Sequence, residues 1–593
     1  MTRFGFRLSA AVAATVVVAI GVSGLWALAN FNKVAPEAAL IIDYFWVMGS
    51  PAGTLVTEDS PAFKPLLPAG ARGLQQADSL TDWPSYNRTL SSDRFSGLTD
   101  INRANVSKLQ VLCTYDTHQY AGFNTAILEI DNALIFTTPY DTFSINAETC
   151  EQNWRVHEDY LPSSPQVVNR GAAYLDGRVF RGTEDGRVLA YDFKTGRRLW
   201  ETSIADPAKH ESVPAAPIAW DGMVFVGNAG GDFKGNKGRM YGLDAATGKI
   251  KWEFFMVPKG PNDVSRGPEA PSTLDGASWQ NEAGAPISGG ATWTSYTLDP
   301  KSGLLYIPGG NPAPDFDDSV RPGANLYSDS VVILDAKTGA YKYHYKVVRK
   351  DWHDWDVSNP PVLSTTADGK RLMSVAPKDG YLYGFDLDTK QQIYKTPVTK
   401  ILNADAPFRP DRTVSFCPGT IGGAEWNGPA YDPQTNLVAI GEVEWCASVT
   451  VQSRKQILGA KMSWPWLGNA TWNPYHFMGN LTSTKEWAGW VYAVDADSGD
   501  WKWRIRVNYP IESGMTPTAG GVIFFGDLGG NFYAVDADNG QKLWGRDMGG
   551  ALGGGVITYR SPVGQRVAVA TGLTEFQWPT PLATAKISVL GLK

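Results

Sequence analysis

Cysteine, histidine and excess positive charge are all scarce in this chain. Its 593 residues include only 4 Cys and 6 His, and the formal net charge is -7. A negative balance argues against nucleic acid as the main partner. No cysteine stands in a Cys-x-x-Cys-His motif, so no covalently attached haem is encoded. In an exported chain an even cysteine count suggests two disulfides, with four buried thiols as the alternative.

Charge is also missing from a long stretch near the N-terminus. Arg3 and Arg7 precede an apolar run over residues 8–29, which is long enough to span a bilayer. The run ends in Ala-Leu-Ala, which suits a signal peptidase, so a cleaved signal and an uncleaved anchor are both open. The length of the run favours an anchor. We expect a hydrophobic helix in residues 1–30, with the rest of the chain in the periplasm at the inner membrane.

Glycine and aromatic residues are abundant. The chain has 62 Gly, 22 Trp and 24 Tyr, with 43% hydrophobic and 19% charged residues. These fractions indicate a folded chain, and many turns with many aromatics indicate an all-β protein built from repeated packing units. Pro and Gly punctuate residues 51–72. We therefore predict a linker over residues 31–78 and one folded domain over residues 79–593.

A short phrase recurs along this domain: a strand ends in Asp or Asn, a turn of the type x-x-Thr-Gly follows, and Trp or Tyr comes a few residues later. Seven copies begin at Asn146, Asp192, Asp244, Asp335, Asp386, Asp495 and Asp536. Most neighbours are about 41 to 52 residues apart, the length of a four-stranded propeller blade. The intervals 244–335 and 386–495 are about twice as long. We expect one enlarged blade in the first, and a degenerate extra blade near residues 431–445 in the second.

The phrase has a physical explanation. Asp and Gly close a tight turn between the third and fourth strands of a blade, and Gly supplies the positive φ. The aromatic residue then starts the outer strand and packs on a neighbouring blade. Seven visible copies and one hidden copy predict an eight-bladed β-propeller. Pairing of residues 585–590 with residues 109–115 would close the ring and remove the free sheet edges.

The stretch over residues 289–356 contains the candidate site. Trp293 lies in a Gly-rich segment, Asn311 in a Gly-Asn-Pro-Ala-Pro loop, and Asp356 among Trp residues. A flat aromatic ring suits stacking on a planar cofactor, and amide and carboxylate oxygens suit a hard cation. Taken singly, these residues are equally well read as a core Trp, a turn and a cap.

The motifs together resemble the pyrroloquinoline quinone (PQQ)-dependent alcohol dehydrogenases. The resemblance begins at Asp82-Trp83-Pro-Ser-Tyr86-Asn-Arg88, includes the Gly-Asn-Pro-Ala-Pro loop, and extends to the C-terminus. It implies an eight-bladed quinoprotein propeller. The Trp-docking repeat alone is less specific, because it also occurs in an outer-membrane-assembly scaffold that has no cofactor.

The resemblance also implies roles for individual residues. Trp293 matches the ring-stacking floor, and Asp356 matches the catalytic base beside the metal. The implied metal ligands are Asp232, Asn311 and Asp356, where Asp232 replaces the usual Glu. The implied cofactor contacts are Trp293, Arg170, Lys378, Glu425 and Trp426. Because PQQ is a tricarboxylate, Arg170 and Lys378 suit it by charge.

Several positions depart from the family pattern. Ser164-Pro165 stands where many members have two adjacent cysteines that roof the quinone. Glu425 replaces the usual Asn, and the Thr-rich segment reads Glu211-Ser212-Val-Pro. A disulfide between Cys417 and Cys446 resembles one in methanol-oxidising members. We also predict a disulfide between Cys113 and Cys150.

The implied activity is PQQ-dependent oxidation of a primary or secondary alcohol, or a polyol, to a carbonyl. Ca²⁺ is the expected Lewis acid, because Ser358 stands where lanthanide-using relatives carry an additional Asp. Cytochrome c or a membrane quinone would accept the electrons. The alternative is a non-catalytic periplasmic scaffold with a decayed cofactor pocket. A propeller hydrolase is disfavoured, since we find no constellation of nucleophile and base.

Overall fold

The structure is a computed structural model that describes residues 56–59 and 81–592, apart from 164–165, 262, 264–273, 471–477 and 576. The hydrophobic helix expected in residues 1–30 lies outside the described residues. Within the described part, no helix is long and apolar enough to cross a bilayer. The fold there is almost entirely β, as predicted, and its strands alternate with turns and loops.

The described residues contain eight antiparallel sheets, and each of them has four strands at its centre. Numbering of the strands begins with β1 (Val56–Asp59) and β2 (Leu109–Asp116). Sheet 1 contains β3 (Leu128–Ile130), β4 (Ala133–Thr137), β5 (Asp141–Asn146) and β6 (Gln152–His157); sheet 2 contains β7 (Ala173–Leu175), β8 (Arg178–Gly182), β9 (Arg187–Asp192) and β10 (Arg198–Ser203). Sheet 3 contains β11 (Ile218–Trp220), β12 (Met223–Gly227), β13 (Arg239–Asp244) and β14 (Ile250–Phe255); sheet 4 contains β15 (Thr297–Asp299), β16 (Leu304–Pro308), β17 (Ser330–Asp335) and β18 (Tyr341–Lys346).

The remaining sheets follow the same pattern with additions. Sheet 5 contains β19 (Val362–Thr365), β20 (Arg371–Val375), β21 (Tyr381–Asp386) and β22 (Gln392–Pro397); a separate small sheet contains β23 (Val414–Phe416), β26 (Ala447–Val449) and β27 (Asn480–Leu481). Sheet 6 contains β24 (Ala430–Asp432), β25 (Leu437–Glu444), β28 (Ala488–Asp495), β29 (Trp501–Val507) and the added strand β1; sheet 7 contains β30 (Thr516–Pro517), β31 (Val522–Gly526), β32 (Asn531–Asp536) and β33 (Lys542–Asp547). Sheet 8 contains β34 (Val556–Ser561), β35 (Gly564–Thr571), β36 (Lys586–Leu592) and β2; the short helices are α1 (Leu274–Ala277), α2 (Arg454–Gly459) and the 3-10 turns Val106–Lys108 and Pro207–Lys209.

Hydrophobic cores lie between neighbouring sheets. One core joins Val491 and Trp503 of sheet 6 to Ile523, Phe525 and Tyr533 of sheet 7, all of them buried. A strand in the middle of a sheet is therefore covered on both faces. This explains why β31 reads as an unbroken apolar run without polar alternation.

The recurring phrase forms the turn between the third and fourth strands, as predicted. In sheet 2 the Asp192 carboxylate accepts hydrogen bonds from the backbone N–H groups of Lys194 and Thr195, and Gly196 has φ +70°. The indole N–H of Trp154, from sheet 1, donates to the carbonyl of Phe193 at 2.8 Å. A Cβ on Gly196 would lie 2.9 Å from that indole. Glycine is thus required at this position for two reasons. It tolerates the positive φ, and it has no side chain to collide with the indole that covers it.

The same docking recurs between other neighbouring sheets. The indole N–H groups of Trp200, Trp252 and Trp503 donate to carbonyls of the next sheet at 3.1, 2.9 and 3.0 Å. Each carbonyl belongs to the residue that follows the phrase Asp. The repeated contact fixes the distance and angle between one sheet and the next.

Sheet 8 is closed by the two ends of the domain. β36 pairs with β2 in an antiparallel register that runs from Leu592 opposite Leu109 to Lys586 opposite Asp116. The expected pairing of the last strand with the strand after Val106 is therefore present. In sheet 8 the third and fourth strands are not consecutive in the chain, so there is no turn to carry the phrase. This is why eight sheets have only seven copies.

The degenerate extra blade expected near residues 431–445 is wrong. Residues 430–444 form β24 and β25, which pair with β28 and β29 of the sheet that carries the Asp495 copy. The interval 386–495 is long because residues 445–487 are inserted between β25 and β28, and residues 398–429 precede β24. The enlarged unit expected in 244–335 is present as sheet 4, which follows a long segment after β14.

Both predicted disulfides are present. Cys113 of β2 is bonded to Cys150 in the turn after β5, which ties sheet 8 to sheet 1. Cys417 is bonded to Cys446, across a sequence separation of 29 residues. A loop of this size corresponds to about 3 kcal/mol of stabilisation on the chain-entropy model.

Docking of an indole on the phrase glycine makes a testable contribution to stability. Gly540 has φ +73°, and a Cβ there would lie 2.6 Å from Trp503; Gly222 has φ +74° and no atom within 4 Å. Gly222→Ala adds only backbone strain, of about 1–2 kcal/mol. Gly540→Ala adds the same strain and a collision, worth about 1–3 kcal/mol more. We expect the thermal midpoint of Gly540→Ala to fall clearly below that of Gly222→Ala; equal midpoints would show that docking contributes little.

Candidate functional site

Strand alternation places the candidate residues at one face of the molecule. In an up-and-down sheet, the loop between the second and third strands and the link to the next sheet leave from the same end. Asp232, Asn311 and Lys378 lie in loops of the first kind, after β12, β16 and β20. Arg170 and Asp356 lie in links of the second kind, and so do Trp293, Glu425 and Trp426. The Asp-Gly turns leave from the opposite end.

A cavity of about 110 Å³ lies at this face. Its lining includes seven of the eight predicted site residues: Arg170, Asp232, Trp293, Asp356, Lys378, Glu425 and Trp426. Asn311 does not line it. The other lining residues are Gln166, Val168, Glu184, His210, Ser212, Pro214, Ala229, Gly230, Gly231, Phe233, Ala291, Asp354, Ile421, Met478, Gln577 and Trp578.

Trp293 is flanked by two cations. The guanidinium carbon of Arg170 lies 4.6 Å from the centre of the Trp293 ring, and the ammonium of Lys378 lies 5.4 Å from it. Arg170 also donates to the Trp293 carbonyl at 3.3 Å and lies 5.1 Å from the ring of Trp426. The indole N–H of Trp426 donates to the carbonyl of Gly553 at 2.7 Å, which fixes that ring. The arrangement provides a flat aromatic surface with positive charge over it.

Three donors orient the Asp356 carboxylate. The Lys378 ammonium lies 2.6 Å from one oxygen, and the backbone N–H of Asn311 donates to the other at 2.9 Å. The indole N–H of Trp293 donates to the same oxygen as Asn311 at 3.3 Å. A Cβ on Gly310 would lie 2.7 Å from this oxygen, so glycine permits the close approach. The carboxylate is thus held beside the aromatic floor.

Lys378 has a second carboxylate neighbour. Its ammonium lies 3.4 Å from Asp354 as well as 2.6 Å from Asp356. Burial opposes the charge on Lys378, but the carboxylates of Asp354 and Asp356 outweigh it and raise the pKa of the ammonium. Lys378 is therefore a fixed cation that two acids share.

The predicted metal ligands are only partly brought together. Asn311 reaches Asp356 through its backbone, and its side-chain amide nitrogen is buried without a partner among the described residues. The carboxylate of Asp232 converges instead with those of Asp315 and Asp354, with one oxygen of each within 4.8 Å of the others. Burial first, and then the charge of Asp356, raises the pKa of Asp232 to about 6.

Glu425 faces the cavity from the link before sheet 6. One of its carboxylate oxygens is buried without a partner within the described part of the chain. Burial raises the pKa of Glu425 to about 7, against the opposing effect of Lys378. Of the two departures in the Thr-rich segment, Ser212 lines the cavity, whereas Glu211 forms an ion pair with Arg239. Ser164-Pro165 lies outside the described residues.

Sequence reasoning missed several acidic residues of the site. Glu184 lines the cavity, and burial raises its pKa to about 8. Glu575 is buried near Arg170, and burial raises its pKa to about 7. Asp354 turns into the cavity at φ +67°. The available signals were a Glu in the turn after β8, and a carboxylate two residues before Asp356.

Removal of the shared cation tests the electrostatics of the site. Lys378→Met leaves Asp354 and Asp356 buried without their counter-charge, which we expect to destabilise the cofactor-free protein by about 3–5 kcal/mol. Lys337 provides the control, because it pairs with Asp221 at the same 2.6 Å but is largely exposed. We expect Lys337→Met to lower the thermal midpoint far less. Equal shifts would mean that the buried acids do not depend on Lys378.

Comparison with protein families identifies the fold independently. The family model "Glucose/ethanol/alcohol dehydrogenase, beta-propeller domain" matches residues 83–406, more than half of the chain. A second model, "Outer membrane protein assembly factor BamB", matches residues 471–575. The second match covers the region of the Asp495 and Asp536 copies, in line with the wider distribution of the Trp-docking repeat.

Individual relatives are dehydrogenases. The chain is 30% identical to the dehydrogenase subunit of a quinone alcohol dehydrogenase from Acetobacter aceti, over 84% of this chain and 72% of that protein. It is 28% identical to a lanthanide-dependent methanol dehydrogenase from Methylacidiphilum fumariolicum, over 83% of this chain and 84% of that protein.

Solved structures agree with the sequence relatives. The quinohemoprotein alcohol dehydrogenase ADHIIG from Pseudomonas putida matches with a TM-score of 0.77 and 25% identity, covering 86% of this chain and 80% of that one. A europium-containing methanol dehydrogenase, at 24% identity, shares the fold with a TM-score of 0.77, over 86% of this chain and 98% of that one. Because the dehydrogenase model matches more than half of the chain and the Acetobacter aceti subunit is 30% identical to it, the chain belongs to the PQQ-dependent alcohol dehydrogenase family.

Proposed function

We propose that this chain oxidises an alcohol to a carbonyl with bound PQQ and a Ca²⁺ ion. The observation that carries the proposal is the Asp356 carboxylate, which Lys378, Asn311 and Trp293 hold at the cavity wall. A positioned carboxylate within hydrogen-bond reach of the substrate hydroxyl is what general-base removal of its proton requires.

The cavity residues fit PQQ. PQQ is a planar tricarboxylate, and Trp293 offers a ring for stacking while Arg170 and Lys378 offer positive charge. The Nε of Arg170 is buried and has no hydrogen-bond partner in the part of the chain that the structure describes. A buried guanidinium donor without an acceptor suits an anionic ligand.

A hard cation also fits. Asp232, Asn311 and Asp356 are the proposed Ca²⁺ ligands, since carboxylate and amide oxygens are what Ca²⁺ prefers. Ser358 stands where lanthanide-using relatives carry an Asp, which supports Ca²⁺. Asn311 would bind the cation through its amide oxygen; its amide nitrogen is buried without a partner among the described residues.

The residues of the chain divide the work. Asp356 accepts the proton of the substrate hydroxyl at its carboxylate. Lys378 and the backbone N–H of Asn311 keep that carboxylate in place. The ring of Trp293 would support the planar cofactor. Bound PQQ supplies the two-electron acceptor. A cytochrome c or a membrane quinone is the proposed onward acceptor, because the sequence encodes no haem attachment motif.

The proposed architecture extends the same resemblance. We infer that the eight sheets are the eight blades of a quinoprotein domain over residues 79–593, preceded by a linker over residues 31–78. Residues 1–30 are proposed as an anchor that holds the domain in the periplasm at the inner membrane, with cleavage as a signal peptide as the alternative. The charge pattern Arg3 and Arg7 before the apolar run supports this orientation.

Location is tested with a fusion. A reporter that is active only in the periplasm, joined after residue 72, should be active and should remain with the membrane fraction because the apolar run is uncleaved. A soluble product that begins near Asn30 would instead support cleavage. A fusion that is expressed but inactive would contradict both.

A non-catalytic scaffold is the second candidate. The match of residues 471–575 to an assembly-factor model is the observation in its favour. The dehydrogenase model covers a longer segment, and that segment contains Arg170, Asp232, Trp293, Asn311 and Asp356. The enzyme is therefore the favoured proposal.

Substitution of the proposed base distinguishes the enzyme from the non-catalytic scaffold. Asp356→Asn keeps the shape and one oxygen but loses the basicity, so turnover should fall by about 10²–10⁴. Purified protein is reconstituted with PQQ and Ca²⁺, PQQ retention is measured by its absorbance, and alcohols, polyols and sugars are screened with an artificial electron acceptor. Asp356→Asn should retain PQQ.

A matched control guards against a general loss of structure. Asp379 adjoins Lys378, is buried and accepts a hydrogen bond from Tyr383, but it does not line the cavity. Asp379→Asn should keep turnover close to wild type. Unchanged turnover in Asp356→Asn would refute the base assignment, and failure of the wild type to bind PQQ would leave the scaffold.

A further inference from the structure

One half-buried carboxylate and two buried carboxylates meet at the cavity wall, which Asp232 and Asp354 line. Asp232 lies on the loop after β12, Asp315 on the loop after β16, and Asp354 on the link before sheet 5. One oxygen from each lies within 4.8 Å of the others. This spacing makes the three acids a group that could hold one metal ion, and carboxylate oxygens are ligands that Ca²⁺ prefers.

Asp315 has no partner that would explain its burial. Its exposure is 0%, and neither carboxylate oxygen has a hydrogen-bond partner within the described residues. The neighbouring guanidinium of Arg321 donates instead to the carbonyls of Pro314 and Asp351 and to the side chain of Asn325. A buried carboxylate without a donor is costly, and aiming it at two other carboxylates adds repulsion.

The nearby positive charge does not balance the cluster. Lys378 is 3.4 Å from Asp354 but lies closer, at 2.6 Å, to Asp356, which is outside the cluster. No ion pair joins Lys378 to Asp232 or Asp315 among the described residues. The positive charge near the three acids is thus part of one ammonium and the Arg321 guanidinium, which forms no ion pair with any of the three among the described residues. Either protons or a metal cation must neutralise them.

We propose that Asp232, Asp315 and Asp354 form a site for a hard, oxygen-seeking cation that binds without PQQ. The site goes beyond the proposed function, with which it shares only Asp232, and it adds Asp315 and Asp354 as ligands. Three carboxylates carry more negative charge than the two carboxylates and one amide of the Asp232, Asn311 and Asp356 set. Because Coulomb attraction scales with the product of the charges, a trivalent ion gains more from the third carboxylate than Ca²⁺ does.

The test measures cation binding to the full chain in the absence of PQQ. The protein is freed of metal with a chelator and titrated with Ca²⁺ and, separately, with Tb³⁺, by calorimetry and by Trp-sensitised Tb³⁺ luminescence. Asp315→Asn and Asp354→Asn should each weaken binding by about tenfold or more. The loss for Asp315→Asn should be larger for Tb³⁺ than for Ca²⁺. Asp317→Asn, the same change two residues along the loop, should have no effect.

Stability gives an independent readout that also shows folding. Without a cation, Asp315→Asn removes an unpaired buried charge, so its thermal midpoint should equal or exceed that of the wild type. Added cation should raise the wild-type midpoint and should raise that of Asp315→Asn much less. A variant that is folded and unable to gain stability from the cation supports the site.

The outcomes separate this inference from the proposed function. Cation binding that Asn311→Ala weakens and Asp315→Asn does not would overturn the inference and leave the proposed function standing. Cation binding that depends on Asp315, in a protein that never binds PQQ, would support the inference and overturn the proposed function. A wild type that binds neither Ca²⁺ nor Tb³⁺ would overturn the inference, because the three acids would then hold protons.

Discussion

The structure depends on the docking of an aromatic ring from one sheet on the turn of the next. Trp154, Trp200, Trp252 and Trp503 each bond to a carbonyl in the neighbouring sheet, and each covers a glycine of positive φ. Packing of the ring against a glycine and a directional hydrogen bond act at the same point. The contact repeats at one end of the sheets, so it sets their spacing without using the loops at the other end.

That division leaves the opposite loops free to carry function. The loops after β12, β16 and β20 bring Asp232, Asn311 and Lys378 to one face, where the links between sheets bring Arg170, Trp293 and Asp356. None of these residues takes part in the docking contacts. Insertions such as residues 445–487 also enter at this face, since they connect a second strand to a third. The fold can therefore vary its site while the ring of sheets stays the same.

Local chemistry made part of this predictable. The Asp-x-x-Thr-Gly phrase specifies its own turn. The family resemblance singled out Trp293 and Asp356, which taken singly would suit a core Trp and a cap equally well. The sequence could not show that β25 reaches across residues 445–487 to pair with β28, since pairing over such a distance leaves no local pattern. It therefore misplaced one blade. The count of repeat copies missed sheet 8, because its third and fourth strands are the two ends of the domain, although the pairing of those strands was predicted.

The acids of the site were hard to predict because each one is significant only when the others lie beside it. Asp315 follows a Pro in a loop and would pass for an exposed turn residue, yet it is fully buried. In a regular strand the side chains of neighbouring residues point to opposite faces. The φ of +67° at Asp354 breaks that pattern, and its side chain lines the cavity. Neither residue is informative until the loops after β12 and β16 are brought together. Proximity in the fold, and not residue type, creates the cluster.

The charge balance of the cavity links its ligands to one another. Glu184, Asp232, Asp354, Asp356 and Glu425 line it against the permanent cations Arg170 and Lys378. The ring of sheets prevents these acids from moving apart, so their repulsion persists until something neutralises it. Under the proposed function, an anionic cofactor would meet this excess of carboxylates on entry. A cation bound among Asp232, Asp315 and Asp354 would lower that cost, and thermodynamic linkage would then require the cofactor to strengthen cation binding by the same factor. On these two proposals, cation and cofactor would be coupled through the acids at the cavity wall.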